Sequence, residues 1–136
     1  MIICGIEMKG SEVIIVILEG DKRSFSHINI DPKKIKFTDN GNQDEVRAFR
    51  HSIYALFREN KVELVAIKKR ETKGQKPGGP IGFKLEGIIQ LYDGCPVKLV
   101  APQTIAAIQR KHSPTKPNSL NIYQYSAFET AFSELP

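Results

Sequence analysis

Met1-Ile2-Ile3-Cys4-Gly5-Ile6-Glu7 opens the chain, and Val13-Ile14-Ile15-Val16-Ile17-Leu18 begins six residues after its carboxylate. Neither run alternates apolar with polar residues, as a strand with one wet face would. Apolar throughout and rich in β-branched side chains, they read as central strands covered on both faces and paired as a hairpin. Glu7 then stands out. A carboxylate closing a buried strand is costly to desolvate unless a cation, a metal or a hydrogen-bond donor meets it, so Glu7 is either paired or used.

Outward from the hairpin, the Gly20-Asp21 turn leads to a more polar third strand over about Arg23 to Ile30. Its Ser and His content places it at a sheet edge, and Asp31-Pro32 ends it. Asn42 can cap a helix reaching about Glu59, with Glu45 three residues on and Val46, Phe49, Ile53, Leu56 and Phe57 at helical spacing. The apolar run from Val62 to Ile67 follows a helix, so it is most simply a parallel strand reached by crossover. Lys68 to Pro80 reads as a loop, and Pro80 suits the first position of a second helix with Ile81, Leu85, Ile88 and Tyr92 inward. Glu86 lies off that stripe and is expected to be exposed, while Gly82 and Gly87 imply close packing on the sheet. Val97 to Val100 makes the last strand, Pro102 to about Lys111 a short helix, and Ile122 to Leu135 a terminal helix after a Pro- and Ser-rich linker.

A chain of 136 residues, 40% hydrophobic and 26% charged, fits one domain over residues 1–136. No apolar stretch approaches the ~20 residues of a membrane span, and the N-terminus lacks the basic and apolar regions of a signal peptide, so a cytoplasmic protein is expected. Cys4 and Cys95 have neither metal nor redox spacing and read as reduced structural thiols. His27, His51 and His112 are scattered, which disfavours a zinc cluster or a Ser-His-Asp triad. The net charge of +5 leans toward polyanionic partners. Lys68, Lys69, Arg70, Lys73 and Lys76 crowd a loop at the carboxyl ends of the strands, with Glu71 as its one acid. That loop either grips phosphates of DNA or RNA or is simply solvated. It is not a P-loop, since no Gly-Lys-Ser/Thr follows at the required spacing.

The order of elements resembles the ribonuclease H-like superfamily. Within it the chain is most similar to the RuvC-type branch, and closer still to a small bacterial family of RuvC-like proteins with a domain of unknown function. The resemblance rests on Ile3-Cys4-Gly5-Ile6-Glu7, on Leu64-Val65-Ala66-Ile67, on Gly78-Gly79-Pro80-Ile81-Gly82-Phe83-Lys84-Leu85-Glu86-Gly87 and on Pro96-Val97-Lys98-Leu99-Val100-Ala101-Pro102. It implies an α/β fold with a five-stranded mixed sheet, three antiparallel strands then two parallel ones, flanked by helices. It also implies carboxylates from strand one, strand four and the last helix around two divalent ions, Mg²⁺ or Mn²⁺, that hydrolyse phosphodiesters in structured nucleic acid.

Carried onto this chain, those positions are Glu7 where the family usually has Asp, Lys68 where an acid would follow Ala66-Ile67, and Ser126 and Glu129 on the terminal helix. Glu7 and Glu129 are the expected metal ligands and, with Glu71, the expected catalytic acids. Two alternatives stay open at this point. Glu7 pairs instead with Lys68 or Lys9, and the chain is then a non-catalytic nucleic-acid or protein interaction module that kept the fold. A homodimer is also left open.

Overall fold

The computed structural model describes residues 1–38, 41–70 and 79–136. In chain order the elements are β1 (Ile2–Lys9), β2 (Glu12–Gly20), β3 (Phe25–Ile28), β4 (Lys34–Lys36), α1 (Gln43–Glu59), β5 (Leu64–Lys68), α2 (Pro80–Gln90), β6 (Val97–Val100) and α3 (Pro102–His112). A 3₁₀ turn over Ile122–Gln124 then leads into α4 (Tyr125–Ser133). The main strand order is β3-β2-β1-β5-β6, with β1 antiparallel to β2 and parallel to β5, and β5 parallel to β6.

The expected five-stranded path is present, and a short further strand joins it. After Asp31-Pro32 the chain returns to the same edge of β2, where Lys34–Lys36 pairs with Glu12–Ile14 beyond the stretch occupied by β3. Its polar-apolar-polar pattern is that of a half-buried strand, too short to register as a separate run. The third strand is also shorter than expected. Asp21 Oδ1 accepts from the amides of Arg23 and Ser24, both at 2.8 Å, and this side-chain turn holds the chain out of the ladder until Phe25. At the other end of the chain, the terminal helix begins as a 3₁₀ turn because Asn121 and Gln124 cap each other reciprocally.

Both faces of the hairpin are covered, which accounts for its unbroken apolar sequence. Cys4, Ile6, Met8, Val13, Ile15 and Ile17 join Phe49, Ile53 and Phe57 of α1 and Leu85 and Ile89 of α2 in one core. On the other face Ile3, Ile14, Val16, Leu18 and Ala66 pack with Phe128, Ala131 and Phe132 of α4 and Ile105 of α3. α4 lies close against the sheet because Gly5 has no side chain: a Cβ there would stand 2.2 Å from the carbonyl oxygen of Ala127 and 2.7 Å from the Ala131 Cβ. At its far end the Lys22 ammonium donates to the carbonyls of Ser133, at 3.3 Å, and Leu135, capping the helix with a cation.

Gly5→Ala is therefore expected to push α4 away from β1 and destabilise the protein by about 1–3 kcal/mol, the usual cost of overpacking a core. Urea unfolding measures it, and an unchanged midpoint would show that α4 can shift without cost.

Candidate functional site

Ile6 of β1 lies opposite Ile67 of β5, so the next residues, Glu7 and Lys68, leave the sheet side by side at the carboxyl ends of two parallel strands. Both follow the side-chain alternation of Ile3 and Ala66 and so project on the α4 face. The Lys68 Nζ stands 3.8 Å from Glu7 Oε2 and donates to Ser126 Oγ at 3.0 Å. Ser126 sits in the first turn of α4, so one ammonium ties two strands to a helix. Glu7 therefore pairs with Lys68 rather than Lys9. One turn further along α4, Glu129 Oε1 lies 3.6 Å from Lys116 Nζ, and that ammonium also stands 5.2 Å from the centroid of the Tyr125 ring.

Hard divalent ions need several converging oxygen ligands. Each of the two expected ligands instead has a lysine against it, and among the described residues no three His, Cys, Asp or Glu gather where they could hold a metal. An ion placed at Glu7 would meet the Lys68 ammonium at contact range. Repulsion between charges of +1 and +2 about 4 Å apart is roughly 2 kcal/mol even in bulk water and several times that in a partly shielded cleft. The donor set does not fit a divalent ion while Lys68 is in place. Glu71, Lys73 and Lys76 lie outside the described residues.

Across the sheet, Arg70 and Glu86 are placed differently from their sequence pattern. Glu86 is only 6% exposed, because α2 turns Gly82, Leu85, Glu86 and Ile89 inward and leaves Ile81 and Ile88 at the margin of the core. Gly82 makes this possible: a Cβ there would come within 2.5 Å of the Arg70 guanidinium carbon. Arg70 Nη1 donates to the carbonyl of Met8 at 2.8 Å, and its guanidinium lies 5.5 Å from the Phe83 ring centroid. Arg70 thus fastens the chain after β5 to β1 and α2, whereas Lys69 is exposed and its amide donates to the Val100 carbonyl at 2.8 Å. Burial raises the pKa of Glu86, and the charges of Arg70 and Lys69 partly oppose that rise.

Lys116 as the partner of Glu129 was not legible in the linker sequence, where nothing marks one lysine among polar neighbours. Gln124 was also missed. It is fully buried, donating from Nε2 to the Ile15 carbonyl at 3.1 Å and accepting from the Asn121 amide at 3.0 Å, and the Asn-x-x-Gln spacing was its only signal.

A mixed sheet of this order, with a last helix that starts beside the carboxyl ends of β1 and β5 and packs along β1, defines a RuvC-like form of the ribonuclease H-like fold. The chain is similar to Thermus thermophilus RuvC at a TM-score of 0.74 and 14% identity, over 98% of this chain and 92% of that one. The same protein in complex with Holliday junction substrate matches at a TM-score of 0.67 and 13% identity, over 98% and 91%. The Fowlpox virus resolvase with substrate Holliday junction DNA matches at 0.52 and 18% identity, again over 98% and 91%. These likenesses show the fold. The chain belongs to the family described as "Protein of unknown function (DUF3010)", which matches residues 1–134. No curated protein matches it. Among the described residues, no helix is long and apolar enough to cross a membrane.

The raised pKa of Glu86 has a defined sign. The folded protein holds this proton to a higher pH than the unfolded chain, so the ionised group costs stability at neutral pH and that cost fades as pH falls through the raised value. Glu86→Gln is expected to be more stable than wild type at pH 7, with the difference shrinking as the pH falls and Glu86 takes up its proton. Thermal unfolding as a function of pH checks it, and a Glu86→Gln protein less stable than wild type at pH 7 would mean that attraction to Arg70 outweighs burial.

Proposed function

We propose that the protein binds structured nucleic acid, branched DNA foremost, across the carboxyl ends of β1 and β5, and does so without hydrolysing it. The observation that carries this reading is the Lys68 ammonium 3.8 Å from Glu7 and 3.0 Å from Ser126. It puts a cation in the place where metal-dependent cleavage by Glu7 and Glu129, with Glu71 as a third acid, would need Mg²⁺ or Mn²⁺. The fold supports the nucleic-acid half of the proposal, since two of the similar structures are titled as complexes with Holliday junction DNA. The net charge of +5 supports it too, as does the placement of Lys68 and the exposed Lys69 where open α/β sheets bind ligands. Lys73 and Lys76 follow in the sequence and add two further cations. Arg70 contributes by holding the loop base rather than by reaching outward.

The test is a binding assay with a four-way DNA junction at several salt concentrations, followed by incubation with Mg²⁺ or Mn²⁺. Affinity is expected to fall steeply with salt, because neutralised phosphates release counterions, and the junction is expected to remain intact. Replacing Lys69 and Lys73 with Glu should weaken binding and flatten the salt dependence by roughly one unit of slope per lost phosphate contact. Metal-dependent cleavage by the wild type, abolished by Glu7→Gln, would establish the hydrolytic alternative in its place.

A further inference from the structure

The geometry points to base-stacking sites for an unpaired DNA strand at Tyr123 and Tyr125, the two exposed rings that flank the buried Gln124. This assignment rests on the nucleic-acid reading above and deepens it by naming the form of DNA that this end of the sheet is shaped to hold.

Both rings are 36% exposed, and Ile122 beside them is 79% exposed, so this turn leaves apolar side chains in water. Each ring carries a cation over it. Lys34 Nζ stands 4.8 Å from the Tyr123 centroid, and Lys116 Nζ stands 5.2 Å from that of Tyr125. The turn is also fixed. Gln124 is fully buried and bonded to the Ile15 carbonyl of the central strand, and its side-chain oxygen accepts from the Asn121 amide. Aromatic rings held by a rigid anchor lose little entropy when something stacks on them.

Ring and ammonium together suit a nucleotide. Every base offers a π-face to stack on an aromatic side chain, whatever the sequence, while the adjoining phosphate takes the cation. The two lysines already have counter-charges, Lys34 with Glu12 at 3.3 Å and Lys116 with Glu129 at 3.6 Å. Pairs as exposed as these are weak, so exchanging a carboxylate for a phosphate costs little. A fully paired duplex hides its base faces and can use only the lysines. The turn also adjoins the Lys68 network through Ser126, which directly follows Tyr125 and accepts from Lys68 Nζ at 3.0 Å.

The experiment measures fluorescence anisotropy of labelled oligothymidine, oligouridine and a blunt DNA duplex with the wild type, with Tyr123→Ala/Tyr125→Ala and with Tyr123→Phe/Tyr125→Phe. Stacking losses on alanine substitution predict that oligothymidine affinity drops roughly tenfold or more in the alanine variant while duplex affinity and thermal stability stay as in the wild type. The phenylalanine variant, which keeps the π-faces, should bind oligothymidine like the wild type. Oligothymidine affinity unchanged by alanine, or an equal loss on duplex, overturns the stacking sites and leaves the charge-driven reading standing. Binding of oligouridine without oligothymidine overturns the assignment to DNA. A wild type that binds the four-way junction but none of the three overturns the stacking sites alone, and one that binds neither junction nor oligonucleotide overturns them together with the reading beneath them.

Discussion

At one end of the sheet two parallel strands emerge side by side carrying opposite charges, and the ammonium of one reaches both the carboxylate of the other and the first turn of the last helix. The contact of Lys68 with Glu7 and Ser126 depends on β1 and β5 being neighbours in register and on α4 lying close enough to bring its hydroxyl within 3.0 Å. It decides the chemistry of the cleft in turn. A carboxylate compensated by a lysine is stable where it is, and it is a poor ligand for a hard cation.

The supporting structure follows from close approach. Gly5 admits α4 to the face of β1, and Gly82 admits the Arg70 guanidinium beneath α2, so each glycine marks a place where the two layers meet more tightly than side chains would allow. On the first face the result is a helix whose first turn brings Ser126 to Lys68 at the end of β5. On the second, Arg70 pins the chain just after β5 to β1 through the Met8 carbonyl. Lys68 and the exposed Lys69 thus stand at this end of the sheet, and among the described residues Glu86 is the buried acid.

Most of the architecture was legible because burial on both faces leaves a blunt sequence signal. The hairpin runs, the Asn42 cap of α1, Pro80 at the start of α2 and the Val97–Val100 strand all fall where their patterns put them. β4 escaped because three residues carry too little periodicity to count. Glu86 was misplaced because its helix has apolar residues on adjoining faces, and Leu85 and Ile89, with Gly82 against Arg70, are the ones that turn inward. At the site, the position of Glu7 at a strand end was readable, and so was the conflict with Lys68, since both follow from neighbouring strands. The partner of Glu129 and the anchored tyrosine turn were not, because they depend on where an irregular linker returns to the sheet.

The central claim is that Lys68, and not the fold, keeps a divalent ion away from Glu7. Crystals of the wild type and of Lys68→Glu, soaked in Mn²⁺ and measured at the manganese absorption edge, test it most directly. The account predicts no anomalous peak beside Glu7 in the wild type and a peak between Glu7 and the new carboxylate in the variant. A manganese peak at Glu7 in the wild-type protein, with Lys68 turned away from it, would contradict the account.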